Sequence, residues 1–180
     1  MTSSPAFSQP LLFVTVGTDY HPFDRLMRWI DEWATAQPRK ETARCLVQCG
    51  TSRPPTSAEY RRYLGFDEIE QMLANASVVV SHGGPATIML CHYYGLRPVV
   101  VPRRREYGEH VDNHQVDFCA SPRLREVIDV ADTESEFLSA LDRRDFSPPP
   151  MPRQRFAPPY VAEAVRRFAH LVSPLLNEDR

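Results

Sequence analysis

Short apolar runs alternate with amphipathic stretches along most of this chain. Leu11-Leu12-Phe13-Val14-Thr15-Val16 is an unbroken apolar run closed by Gly17-Thr18, the pattern of a strand buried on both faces. Phe23, Leu26, Met27 and Ile30 then recur at helical spacing and predict a helix from Pro22 to Ala34. Arg44 to Cys49 reads as a second strand stopped by Gly50-Thr51, and Tyr60 to Leu64 as a short third. Asp67 is the expected cap of a helix carrying Ile69, Met72 and Leu73 on one side. Val78-Val79-Val80 is a β-branched strand, Thr87 to Tyr94 a helix ended by Gly95, and Pro98 to Val101 the next strand. A loop from Arg103 to Glu109, a helix from about His110 to Ala120 and a strand at Val127 to Val130 follow. Thr133, three residues before Glu136, opens a last helix with capping-box spacing.

Such alternation predicts an α/β fold: a Rossmann-like parallel sheet with helices on both faces. The expected strand ends, at Gly17-Thr18, Gly50-Thr51, Ser81-His82, Pro102 and Asp129, then share one edge, where open α/β sheets bind ligands. The pattern changes after Asp145. Seven of the seventeen prolines lie from Pro148 onward, and regular structure is excluded from most of that stretch. Yet Val161, Val165, Phe168, Val172 and Leu175 return on one helical face. The organisation read from this is a tail at 1–10, a domain at 11–145, a proline-rich linker at 146–159 and a docking helix at 160–180.

The stretch Ser81-His82-Gly83-Gly84-Pro85-Ala86-Thr87 joins a strand to a helix. Two glycines allow a tight turn and a close backbone approach. Proline suits the first helical position, and free N–H groups at a helix start attract phosphate. The plainer reading is a tight connection and nothing more. His82 beside this turn can orient it, touch phosphate or act as a general base. His21 faces the same edge as an acceptor or phosphate contact, or as a solvated loop residue. Arg103, opening the run Arg103-Arg104-Arg105 at a strand end, is a candidate for a diphosphate or an anionic lipid head group. His110 and His114 are spaced as a metal pair, but no third ligand is evident from the spacing, and no metal is expected.

Composition narrows the field. A net charge of −2 and a pI near 6.3 give no electrostatic case for nucleic acid. No apolar run approaches the ~20 residues that span a bilayer, and Met1 to Pro10 lacks a signal core; a cytoplasmic protein is expected. Cys45, Cys49, Cys91 and Cys119 show no C-x-x-C spacing, which argues against zinc or a dithiol redox site; Cys45 and Cys49, on one face of an expected strand, read as reduced apolar fillers.

Four blocks in series carry a resemblance: Phe13-Val14-Thr15-Val16-Gly17-Thr18, Ser81 to Met89, Val99-Val100-Val101-Pro102-Arg103, and Glu109-His110-Val111-Asp112-Asn113-His114-Gln115. Over residues 11 to 141 the chain resembles the C-terminal, nucleotide-binding half of GT-B glycosyltransferases. It is similar in particular to small subunits of two-part exopolysaccharide transferases, to the dolichol-linked N-acetylglucosaminyltransferase catalytic subunit and to the C-terminal half of MurG. The resemblance implies a UDP-sugar donor at the carboxyl edge and no cofactor or metal. Ser81, His82, Gly83, Gly84, Pro85, Ala86 and Thr87 would form the diphosphate turn, and Gly17 and Thr18 would line the cleft. Asn113, His114 and Gln115 would supply polar contacts to sugar or phosphate. One position departs from the family: Leu90 stands where a ribose-holding glutamate is usual.

The expected function is that of a glycosyltransferase subunit. It would pass a hexose from a UDP-sugar to a lipid-linked or small-molecule acceptor, with His21 and His82 as the catalytic candidates. A membrane-associated partner subunit would supply the other lobe and recruit the chain to the inner face of the membrane. Homo-oligomers stay open. The alternative, favoured by Leu90, is a non-catalytic lobe that stabilises or regulates a partner transferase.

Overall fold

The computed structural model describes residues 9–36 and 43–156. Six strands form one sheet, every pair of neighbours parallel, in the order β3-β2-β1-β4-β5-β6. They are β1 (Leu11–Thr15), β2 (Arg44–Gln48), β3 (Glu59–Arg61), β4 (Val78–His82), β5 (Val99–Val101) and β6 (Asp129–Val130). The helices are α1 (Asp24–Ala36), α2 (Phe66–Asn75), α3 (Pro85–Tyr93), α4 (His114–Cys119), α5 (Pro122–Arg125) and α6 (Glu134–Asp142).

Burial on both faces explains the continuous apolar runs. Val14, Val80 and Val101 pack toward α1 and α6 with Trp29, Ile30 and Phe137. The intervening Phe13 and Val79 pack the other way, toward Leu73 of α2 and Cys91 of α3. Ile88, Val100, Cys119 and Ile128 close the core near α4 and α5. Side chains alternate across a strand, so a run buried at every position needs a layer on each face.

Several boundaries differ from the sequence expectation. Gly65, not Asp67, is the N-cap of α2; its amide donates to the Glu68 carboxylate at 2.7 Å. Asp67 lies inside the first turn, where a negative charge still suits the helix dipole. The third strand ends at Arg61, although Cys49 and Gly50 donate on to the carbonyls of Arg61 and Arg62. The helix expected from His110 starts only at His114, because His110 to Asn113 form bends whose side chains bond locally. The capping box at Thr133 is present: Glu136 donates its amide to Thr133 Oγ1 at 3.3 Å, and its carboxylate accepts from the Thr133 amide.

Residues 146–156 have no regular structure but are anchored. Phe146 stacks on Trp33 at 5.7 Å. Arg153 donates its amide to the Ala74 carbonyl at 2.7 Å, and Phe156 to that of Tyr93 at 2.6 Å. The chain therefore passes from the α1–α6 layer to the α2–α3 layer. The docking helix expected at 160–180 lies outside the described residues.

Candidate functional site at the carboxyl edge of the sheet

Connections run to one side of the sheet after β1 and to the other after β4, and these two strands are neighbours. Their carboxyl ends flank the point where the strand order reverses, the place where open α/β sheets hold ligands. A cleft of about 440 Å³ opens there. Gly17 and Thr18 line it after β1, His82 and Gly84 after β4, and Pro85, Ala86, Thr87 and Leu90 along α3. Phe66 and Ile69 of α2, with Tyr93 and Arg155, form its far wall. A larger cavity of about 620 Å³ lies at the amino ends of β2 and β3. Neither a glycine turn nor a helix start borders that one.

The polar end of the cleft is built by close approach. Gly17 has φ +76°, a left-handed conformation that favours glycine. A Cβ placed on it would meet His82 Cε1 at 2.6 Å, and one on Gly84 would meet His82 Nε2 at 2.2 Å. The imidazole thus lies against both glycines. Gly84 is the N-cap of α3 and has no side chain to cap it; Pro85 follows at the first position. The amides of Ala86 and Thr87 precede the first intrahelical bond, from Ile88 to the Gly84 carbonyl at 3.2 Å. They are among the donors that a helix leaves unpaired at its start.

His82 is a buried, neutral imidazole. Burial first, then the nearby Arg103 guanidinium, push its pKa down to about 4, and its Nδ1 is buried without a hydrogen-bond partner. So weak a base takes up little proton at neutral pH. The geometry gives the ring a supporting position between two turns.

Four of the candidates stand behind the cleft wall. Arg103 is fully buried. Its Nη1 donates to the carbonyls of His21 (2.7 Å) and Glu109 (2.9 Å), and its Nη2 to that of Val16 (2.9 Å). The expectation of a diphosphate or lipid contact is corrected for this residue: its charge is spent inside the protein, tying three loops together. Gln115 is buried too, and its Oε1 accepts from the amides of Gly83 (3.0 Å) and Arg103 (3.1 Å). A Cβ on Gly83 would meet Gln115 Cβ at 2.9 Å, so this glycine serves packing against α4. Ser81 is buried and donates to the His82 carbonyl at 2.7 Å. These four shape the turn from within.

Asn113, His114 and His21 are not among the residues that line the cleft. Asn113 Oδ1 accepts from the Arg105 amide at 2.8 Å. His21 Nδ1 lies 2.6 Å from Asp19 Oδ1, and the same oxygen accepts the His21 amide at 2.7 Å. Burial pushes the Asp19 carboxyl up, but hydrogen bonds from His21 and the charge of Arg103 outweigh it and hold the group below the usual range.

Two features escaped the sequence reading. Arg25 and Glu109 form a buried ion pair, with Nε–Oε1 and Nη2–Oε2 both 2.8 Å, binding α1 to the loop after β5. Eighty-four residues separate them, and no local pattern signals such a pairing. Arg155, assigned to a linker by its prolines, reaches the cleft, where it pairs with Glu70 at 3.0 Å and lies over the Tyr93 ring.

A six-stranded parallel sheet with a glycine turn and an open helix start at its switch point defines a Rossmann-like lobe. The chain matches the Glycosyltransferase family 28 C-terminal domain over residues 11–154 and belongs to that family. Its fold is that of the C-terminal domain of GT-B glycosyltransferases. Two solved structures share it. One is the glycotransferase of kitacinnamycin, with a TM-score of 0.51, 17% identity, 96% of this chain and 41% of that one covered. The other is the calicheamicin glycosyltransferase CalG4, with a TM-score of 0.52, 17% identity, 94% and 39% covered. The chain thus spans about two-fifths of the length of either. No curated protein matches the sequence.

Proposed function

We propose that this chain is the donor-binding lobe of a glycosyltransferase, taking a UDP-sugar and working with a second lobe that carries the acceptor. The observation that carries this reading is the cleft between β1 and β4, with the uncapped start of α3 at one end and apolar walls at the other. A diphosphate fits the first: the Ala86 and Thr87 amides and the Thr87 hydroxyl can donate to it, and the helix dipole favours its charge. A nucleoside fits the second, between Phe66, Ile69, Leu90 and Tyr93. As the bond to the sugar breaks, charge grows on the departing phosphate oxygen, and donors already in place stabilise it. Gly17, Thr18, Gly84, Pro85, Ala86 and Thr87 line that path directly. Ser81, His82, Gly83, Arg103 and Gln115 hold it in shape.

The site for the acceptor, lipid-linked or small, and its general base would come from a partner chain; His21, Asn113 and His114, which do not line the cleft, would face that junction. A second reading rests on Leu90. This apolar side chain lines the cleft and packs into the α2–α3 core, and it offers ribose hydroxyls nothing. In that reading the lobe has lost its donor and stabilises a partner transferase.

Calorimetric titration of UDP into the purified chain tests the choice. Saturable binding that weakens by about tenfold or more in Thr87→Val supports the donor lobe; a hydrogen bond to a charged group is worth roughly 1.5–3 kcal/mol. Absence of binding in a folded protein supports the second reading. Thr87→Val is the sharper variant, because any branch on Gly84 would strike His82 before it met a ligand.

A further inference from the structure

We propose that His110, Asp112 and His114 form a binding site for a divalent transition-metal ion, with Asp19 as the outer partner of His110. None of these four residues lines the donor cleft, and the case for the ion does not depend on UDP binding.

The geometry converges on one oxygen. Asp112 Oδ1 lies 3.3 Å from His110 Nδ1 and 2.5 Å from His114 Nδ1. One donor atom from each of the three residues falls within 4.8 Å of the other two. Around an ion with bonds of about 2.1 Å, tetrahedral ligand atoms stand roughly 3.4 Å apart. The His110–Asp112 separation already has that value, and the His114–Asp112 contact needs to open by less than about 1 Å. Two imidazole nitrogens and one carboxylate are a donor set for zinc and its first-row neighbours.

A second observation concerns the far side of His110. Its Nε2 lies 3.2 Å from Asp19 Oδ2. With Nδ1 turned to the ion, Nε2 carries the proton and donates it to Asp19, the carboxylate–imidazole arrangement that orients metal-bound histidines and raises their basicity. Asp19 is itself fixed, because its other oxygen accepts from the His21 amide and lies against the His21 ring. Accessibility is graded in the same direction. His110 is 14% exposed, whereas Asp112 and His114 are 56% and 47% exposed, so an ion can enter from solvent and keep water on its open positions.

The sequence reading paired His110 with His114 and passed over the third donor, Asp112, which stands between them as His-x-Asp-x-His. The alternative is that protons alone hold the cluster, each imidazole hydrogen-bonded to a carboxylate.

Zinc uptake by the chelator-treated full chain, without nucleotide, distinguishes the two. The expected result is about one Zn²⁺ per chain. Asp112→Asn and His114→Ala should each weaken uptake tenfold or more, and Asp19→Asn by about 10–100-fold as an outer partner. His92→Ala, at an exposed histidine on α3, should leave it unchanged. Co²⁺ in place of Zn²⁺ should give visible bands that Asp112→Asn alters. No uptake by the folded parent chain overturns the proposal. So does uptake that persists unchanged in the His110→Ala/His114→Ala protein, which would place the metal elsewhere. Asp112 is exposed, so its variant tests the site even if a histidine variant fails to fold.

Discussion

The His82 imidazole occupies the space that a side chain on Gly84 would need, with Nε2 only 2.2 Å from an ideal Cβ at that position. The two residues are therefore a matched pair at the start of α3. Gly84→Ala is expected to destabilise the fold by about 1–3 kcal/mol, the usual cost of overpacking a filled site. Combined with His82→Ala, the alanine at 84 should cost markedly less, since the opposing ring is gone. Urea unfolding of the four proteins gives the coupling. Additive losses would show that the ring and the turn are independent.

Acid should reveal the same histidine. Its folded pKa, about 4, lies below the unfolded value near 6.5. The unfolded chain therefore binds more protons between these values. Stability is full above about pH 6.5 and falls as pH drops toward 4, by roughly 3 kcal/mol in all from this group. Unfolding free energies at pH 7.5 and 4.5 should differ less in His82→Asn than in the parent. An equal difference would assign acid sensitivity to other groups.

The Arg25–Glu109 pair makes a separate test of how the ligand edge is held. Glu109 also accepts the Arg104 amide at 2.9 Å, while Arg25 donates to the Pro102 carbonyl at 2.9 Å. Glu109→Ala leaves a buried guanidinium without its carboxylate and should cost about 3–5 kcal/mol. Arg25→Met with Glu109→Leu removes both charges and should cost less than that single change. Thermal melts of the parent and the two variants decide this, and a double variant worse than Glu109→Ala would contradict it.

Leu90→Glu addresses the departure from the family pattern. If ribose lies over this position, the new carboxylate should tighten UDP binding by about one to two powers of ten. Leu90 is also packed against the α2–α3 core, so a lower melting temperature is expected alongside. Unchanged affinity in the folded variant would place the ribose elsewhere in the cleft.

Most of the sheet was legible because burial on both faces leaves unbroken β-branched runs, as at Val78 to Val80 and Val99 to Val101. The glycine turn was legible too, since few residues besides glycine tolerate the approach made by His82. Arg103 was misread for a physical reason. A charge run at a strand end looks solvent-facing, and only the fold brings the carbonyls of Val16, His21 and Glu109 around its guanidinium. Gln115 was read as a ligand contact, and only the fold brings its oxygen to the two backbone amides of Gly83 and Arg103. The His110 helix was over-extended because Asp112 competes for the local amides. It accepts from His114, and side-chain bonding of that kind favours a bend over a helical turn.

The anchored stretch after α6 changes where this domain ends. Arg153 and Phe156 bond the backbone of α2 and α3, and Arg155 stands in the wall of the cleft. A chain cut after Asp145 would keep all six strands and all six α-helices of the described fold, yet lose one side of its pocket. Sheet and pocket have different C-terminal limits, about ten residues apart. A truncated protein can therefore melt as a folded domain while the cleft stands open on one side.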